Sequence, residues 1–259
     1  MYCYLDCGLF NIYLCNKIEL QKGEKVMLGK NILITSGGCI EKWDEVRGHT
    51  NLAKGKIGKM IAEEALAEGA TVTYLHGYFA EKPCDKDSEN LKLETFEGIV
   101  DLQDKMKAII LSEKIDAVIM TAAGSDWIVD KMLDKDGNLI PQNGKISSDN
   151  PPVIHFKKAP KVLKQIKEWN PNLMLVGFKL ESNVDKETLI ERAKIRMGTS
   201  KASLMVANTS DSLHVNSATH YIINQDNDIY QCANKKETAN MIIQALNQLF
   251  LQETTAVSR

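Results

Sequence analysis

The sequence predicts an α/β protein built on a doubly wound, mostly parallel, Rossmann-like sheet, with an irregular flap in its second half and a C-terminal hairpin. Three observations carry this expectation. Short apolar or β-branched runs alternate with longer segments whose apolar residues recur at helical spacing. Several of the short runs end in small or polar residues, as strands do where a doubly wound sheet binds its ligand. The 259 residues are 44% hydrophobic and 25% charged, which suits a folded chain able to bury a full core.

The elements follow in order. Residues 31–35 form an apolar strand ended by Ser36-Gly37-Gly38, and a polar loop extends to about Lys54. Ile57, Met60, Ile61, Ala65 and Leu66 mark a helix over 56–68, stopped by Gly69. Residues 71–75 and 91–96 are strands, 99–112 a helix, and 117–120 a buried strand ending in Thr121-Ala122-Ala123-Gly124. Periodicity then stops. Asp-Gly, Asn-Gly and Pro-Pro pairs make 128–152 an exposed excursion. Order resumes with a helix at 160–169, a strand at 173–178, a helix at 186–197 and a strand at 204–207. Residues 221–223 and 228–230 pair around Gln225-Asp226-Asn227, and an amphipathic helix spans 237–251. The domain is expected over 27–252, with a frayed polar tail over 253–259.

Residues 1–26 fit no element. Asp6, Asn11 and Asn16 interrupt their apolar stretch, and no basic segment or small-residue cleavage site makes them a signal peptide. Lys22-Gly23-Glu24 can be encoded by a purine-rich run resembling a bacterial ribosome-binding site, shortly before Met27. The stretch is expected to be a translated leader or a disordered extension, with Met27 the natural start.

Composition excludes several classes. The net charge is -2, from 32 basic and 34 acidic residues, so bulk attraction to nucleic acid or an anionic membrane is not expected. Cys3, Cys7, Cys15, Cys39, Cys84 and Cys232 never pair as CxxC, which points to a reducing cytoplasm rather than a disulfide scaffold or zinc site. Five dispersed histidines show no metal-ligand spacing, and no apolar run approaches the ~20 residues that span a bilayer.

The chemistry-bearing residues gather at predicted strand ends. Ser36-Gly37-Gly38 lets a phosphate approach backbone N–H groups, or is a simple turn. Arg47, Asn51, Lys54, Gly55, Lys56 and Gly58 form either a solvated loop or an anion site backed by a helix start. Asp126 suits a ribose hydroxyl, a metal or a turn cap. Lys145, on the irregular excursion, can close over a polyphosphate as a point charge. Lys157, Lys158, Lys161 and Lys164 surround a predicted helix start, where cations oppose the macrodipole unless an anion binds or water screens them.

Taken in order, these segments resemble phosphopantothenoylcysteine synthetase. The resemblance is carried by 32–38, Asp44, Val46-Arg47, Thr50-Asn51, Gly55-Lys56 and Gly58, followed by Ala122-Ala123-Gly124-Ser125-Asp126-Trp127 and Gly144-Lys145-Ile146. It continues through Phe156-Lys157-Lys158-Ala159-Pro160, Val176-Gly177-Phe178 and Val206-Ala207-Asn208, covering about 29–250. Lys145-Ile146-Ser147-Ser148 looks like the stand-alone bacterial form, so FMN is not expected.

The resemblance implies a ligase of coenzyme A biosynthesis. It would join 4'-phosphopantothenate to L-cysteine through an acyl-cytidylate, with CTP consumed to CMP and pyrophosphate, Mg2+ as cofactor and a homodimer as the assembly. It implies nucleotide contacts by Ala122, Asp126, Lys145, Ala159, Pro160, Lys161, Val162, Phe178, Lys194 and Lys201. It implies substrate contacts by Gly37, Gly38, Arg47, Asn51, Ala123 and Asn208, with Asn51, Lys145 and Arg47 catalytic. Two departures stand out: Ala53-Lys54-Gly55-Lys56 replaces Ser-Ser-Gly-Lys, and Lys179-Leu180 precedes Glu181-Ser182 where Glu-Thr is usual.

Two other classes remain. A nicotinamide-dependent reductase on the same sheet predicts GxGxxG and a Tyr-xxx-Lys pair, and neither occurs. A non-catalytic nucleotide-binding regulator predicts loss of the catalytic residues, yet Arg47, Asn51 and Lys145 are all present.

Overall fold

The computed structural model describes residues 25–84, 88–213, 215 and 217–257. The expected leader over 1–24, with Cys3, Cys7 and Cys15, lies outside the described residues. Lys25 donates to the Ala67 carbonyl at 3.0 Å and Val26 packs on the core, so these two residues join the domain. Cys39, Cys84 and Cys232 are free thiols.

The elements are β1 (Asn31–Ser36), β2 (Ile40–Lys42), β3 (Gly48–Thr50), α1 (Lys56–Ala67), β4 (Thr71–Gly77), β5 (Leu91–Phe96), α2 (Ile99–Ser112) and β6 (Ala117–Met120). The chain continues with β7 (Trp127–Leu133), β8 (Leu139–Ile140), β9 (Val153–Lys158), α3 (Val162–Trp169), β10 (Met174–Glu181), α4 (Lys186–Ser200) and β11 (Leu204–Thr209). A 3-10 turn (Ser210–Leu213), β12 (His220–Asn224), β13 (Ile229–Cys232) and α5 (Lys235–Val257) complete it.

Eight strands form the central sheet in the order β13-β12-β11-β10-β6-β1-β4-β5. The six from β11 to β5 run parallel, and β12 and β13 add an antiparallel edge. Parallel strands are covered on both faces, which explains their continuous apolar runs. In β1, Ile32 and Ile34 meet α1 and α5, while Leu33 meets the layer built by α2, α3 and α4. From β1 the chain first winds outward to β4 and β5, then returns to β6 on the other side. The order therefore reverses between β1 and β6, and a crevice opens at their carboxyl ends.

Four local expectations are corrected. The polar loop after β1 contains the β2–β3 hairpin, too short for periodicity to reveal. The 128–152 excursion is largely ordered as an antiparallel β8-β7-β9 sheet, leaving 141–152 irregular. Only Met132 of β7 and no residue of β9 is buried, so neither strand shows apolar alternation. Helix α3 starts at Val162, placing Lys157 and Lys158 on β9, where Lys157 lies 3.4 Å from Asp130. Helix α5 runs on to Val257, past the point where the sequence predicts fraying.

Candidate active site

The carboxyl ends of β1 and β6 are stitched together beyond the strands. Ala123 donates its N–H to the Gly37 oxygen at 2.8 Å, and Cys39 donates to the Ala123 oxygen at 3.2 Å. Gly37 adopts φ +85, and a side chain at Gly38 would run into the Asn51 carbonyl. These two glycines thus permit a close backbone approach beside the crevice rather than lining it. Asn51 adds two ties, its Nδ2 donating to the Ala123 and Gly124 oxygens at 3.0 Å each. It does not cap the following helix. Gly55 holds that position at φ +73, and neither a side-chain cap nor an acidic residue occupies the first turn of α1.

A cavity of about 420 Å3 fills the crevice from Asn51 to Asn208. Among the described residues its wall carries six cationic side chains, Lys54, Lys56, Lys161, Lys179, Arg196 and Lys235, against one carboxylate, Asp126. Several lysines sit close to the uncapped start of α1, whose free N–H groups also favour an anion. Asp126 pairs with Lys161, which sits at the cap position of α3. Ala122, Ala123, Pro160, Val162, Phe178 and Asn208 also line the cavity. The geometry therefore suits a polyanion with an apolar portion.

Other candidate residues stand elsewhere. Ala159 is buried behind the wall and donates its N–H to the Asp126 oxygen at 3.0 Å. Arg47 turns away from the cavity and clamps Asp44, donating through Nη2 at 2.6 Å and Nε at 3.0 Å to Oδ2. That carboxylate, 2% exposed, also accepts from the backbone N–H groups of Val46, Arg47 and Ile146. The Arg47 guanidinium, followed by these N–H groups, holds the Asp44 carboxyl well below the usual carboxylate range. Lys145 is exposed and outside the cavity wall. Its neighbours are anchored to the same hairpin: Glu45 donates to the Gly144 oxygen at 3.1 Å, and Arg47 Nη2 donates to the Ile146 oxygen at 2.6 Å.

Lys194 and Lys201 also lie off the cavity. Lys201 takes a left-handed conformation at the end of α4, where the chain turns into the amino end of β11. That is the opposite end of the strands from the crevice. The cation that α4 contributes is Arg196. Its place between Lys194 and Lys201 was the available signal, since only one side of the helix faces the cavity. His220 and Lys235 also line the wall, and no sequence motif marks either of them.

Among the described residues no group of three or more His, Cys, Asp or Glu side chains is placed to hold a metal ion. No described helix is long and apolar enough to cross a membrane.

Residues 27–250 match the family described as DNA/pantothenate metabolism flavoprotein C-terminal domain. The chain is 33% identical over 186 residues to the coenzyme A biosynthesis bifunctional protein CoaBC of Thermococcus kodakarensis, covering 71% of this chain and 42% of that protein. It is 29% identical over 228 residues to the protein of the same name from Methanocaldococcus jannaschii, covering 85% and 51%. The chain thus spans about half the length of these relatives or less. A crystal structure of the DNA/pantothenate metabolism flavoprotein from Streptococcus pneumoniae superimposes with a TM-score of 0.76 at 28% identity, covering 85% of this chain and 99% of that one.

Proposed function

We infer from this chain, which belongs to the DNA/pantothenate metabolism flavoprotein C-terminal domain family, a ligase that joins 4'-phosphopantothenate to L-cysteine in coenzyme A biosynthesis. The single observation that supports this most is the cation-lined cavity at the sheet's reversal point, with an uncapped helix start opening beside it. The relatives named for coenzyme A biosynthesis supply the substrate class.

The chemistry follows from the substrates. A carboxylate is a poor electrophile, being anionic with a bad leaving group. Attack of the phosphopantothenate carboxylate oxygen on the α-phosphorus of CTP forms an acyl-cytidylate and expels pyrophosphate. The cysteine amine then attacks the acyl carbon, an amide bond forms, and CMP leaves. Two anions meet in the first step, and Lys54, Lys56 and Lys161 are placed to offset their repulsion. Lys145 joins them in this reading by a movement of the 141–152 segment. Asn51 holds the Ala123 and Gly124 carbonyls and so positions the β6 end on which the acyl group would rest. Arg47 acts through the clamp that seats Ile146.

Magnesium does not fit as a protein-held ion. Among the described residues the cavity offers one carboxylate, Asp126, already paired with Lys161.

The reading includes a homodimer. The β8-β7-β9 sheet exposes Trp127 and Phe156 on one face and Leu139 and Val153 on the other, apolar surface that a second copy would cover in part. A pyrophosphate-release assay with 4'-phosphopantothenate and CTP, with and without cysteine, tests the function. Release that requires the pantothenate substrate supports it; oxidation of a nicotinamide cofactor by the same protein would replace it with the reductase reading.

A further inference from the structure

The β2–β3 hairpin is fixed to the body of the domain on one side. Ile40 donates its N–H to the Glu97 oxygen at 2.7 Å, and Thr50 Oγ1 donates to the Cys39 oxygen at 2.7 Å. Glu41, 8% exposed, accepts from the Ile99 N–H at 2.8 Å. Its carboxylate thus sits at the start of α2, where Gly98 holds the cap position without a side chain and where negative charge is favoured. The cross-strand register sets Glu41 opposite His49, and period-two alternation returns Trp43 to the same face.

His49 carries the contact from this hairpin to the base of the β8-β7-β9 sheet. Trp43 Nε1 donates to His49 Nδ1 at 3.1 Å, and His49 Nε2 lies 3.3 Å from the Trp127 carbonyl oxygen. The indole is a donor only, so Nδ1 must be bare. The neutral ring then carries its proton on Nε2, and that N–H donates to Trp127. The ring also meets Phe156 of β9 edge to face, with centroids 5.0 Å apart at 82°. One imidazole therefore touches both long strands of the small sheet, near the end where they join the domain.

Apolar packing does little to hold that sheet's angle. Of the residues in β7, β8 and β9, Met132 alone is buried. The chain enters the sheet from Asp126, which lines the cavity one peptide before the carbonyl that His49 holds. It leaves at Lys158-Ala159, where the Ala159 N–H returns to the Asp126 oxygen. The irregular segment that carries Lys145 is gripped by the same hairpin, through Arg47 and Asp44 on Ile146. Two grips from one fixed frame set an orientation, where a single grip would leave a pivot.

We propose that His49 is a positioning residue for acyl-nucleotide formation. Through the Trp43–His49–Trp127 relay it sets the angle of the small sheet on the hairpin, and with it the places of Asp126 and Lys145 relative to the cavity. His49 touches no substrate in this role. The proposal rests on the ligase reading above and adds to it the group that orients the sheet. The relay also dictates which replacement serves. A glutamine amide offers one acceptor for Trp43 and one donor for Trp127, whereas leucine offers neither. Phenylalanine at Trp43 removes the first bond and frees the ring to exchange its tautomer.

The test measures acyl-nucleotide formation by rapid quench with 4'-phosphopantothenate and CTP. It compares wild type, His49→Leu, His49→Gln and Trp43→Phe, each beside its melting temperature. His49→Leu is expected to slow formation at saturating substrates by about tenfold, as the loss of two neutral hydrogen bonds implies, with the nucleotide KM within about twofold. Trypsin should cut after Lys135 and Lys145 faster in that variant, at temperatures well below its melting. His49→Gln should recover the rate to within about threefold of wild type, and Trp43→Phe should fall between. Nitrogen-edited NMR above neutral pH reads the ring itself, with the proton expected on Nε2; a proton on Nδ1 overturns the relay. So does a wild-type rate in His49→Leu, or a change confined to the nucleotide KM. A loss that follows the melting temperature and is not recovered by glutamine also overturns it and leaves His49 a packing residue. Those outcomes spare the ligase reading; a wild type that forms no acyl-nucleotide sinks both.

Discussion

Arg47 and Ile146 stand 99 residues apart in the chain, yet the Arg47 guanidinium donates to the Ile146 carbonyl oxygen at 2.6 Å. Asp44 completes the link, accepting from the Arg47 side chain and from the Ile146 N–H at 3.0 Å. The β2–β3 hairpin thereby holds the segment carrying Lys145. Arg47 is thus a positioning residue here, and its effect on the reaction passes through that segment.

Asp44→Asn is expected to loosen the segment and flatten the acid limb of stability. The folded carboxyl titrates below the unfolded value of about 3.9, so its contribution is complete above about pH 4 and is lost as pH falls through the folded value. Chemical denaturation from pH 7 down to about 2 checks this. Wild type should lose stability below about pH 4 more steeply than the variant, and parallel curves would show that Asp44 is not the group responsible.

Lys145→Gln should slow acyl-cytidylate formation by about 2.7–4 kcal/mol of barrier, the scale of losing one charge-stabilising contact. The side chain is exposed, so its loss opens no core cavity. Rapid-quench measurement of the intermediate, beside an unchanged melting temperature, is the check. A wild-type rate of formation removes Lys145 from the reaction.

Asn51→Asp should impair both half-reactions. The aspartate cannot donate, and it places a carboxylate against the Ala123 and Gly124 oxygens that Nδ2 now holds. Single-turnover assays separate the steps. Normal activation with an accumulating acyl-cytidylate would instead make Asn51 a donor to the oxyanion formed during cysteine attack.

Arg196→Ala should raise the nucleotide KM at least tenfold, as loss of one charged hydrogen bond of about 1.5–3 kcal/mol implies. Lys201→Ala, at the far end of α4, should leave it unchanged. Equal effects from both substitutions would contradict the placement of the cavity.

The contrast between Arg196 and Lys201 shows where sequence runs out. Period and punctuation identify α2 over its full length and the buried strands β1, β4 and β6, because packing on both faces leaves continuous apolar runs, while the edge strand β5, with only Leu91 and Phe96 buried, shows by its alternation. They miss β7 and β9 because solvent reaches both faces of that small sheet, so Met132 alone is buried. Asp126 and Asn208 were legible because each sits near a strand end facing the crevice, and Phe178 because it closes the apolar run of β10. His220 and Lys235 were not, because only the β11–β12 register and the start of α5 bring them to Asn208.

The most direct test of the central claim omits cysteine. The purified chain is incubated with 4'-phosphopantothenate and CTP, and the quenched mixture is resolved by mass spectrometry. The account predicts 4'-phosphopantothenoyl-cytidylate with one equivalent of pyrophosphate, converted on adding L-cysteine to 4'-phosphopantothenoylcysteine and CMP. Cleavage of CTP to CDP and inorganic phosphate, or no acyl-nucleotide at all, would contradict it.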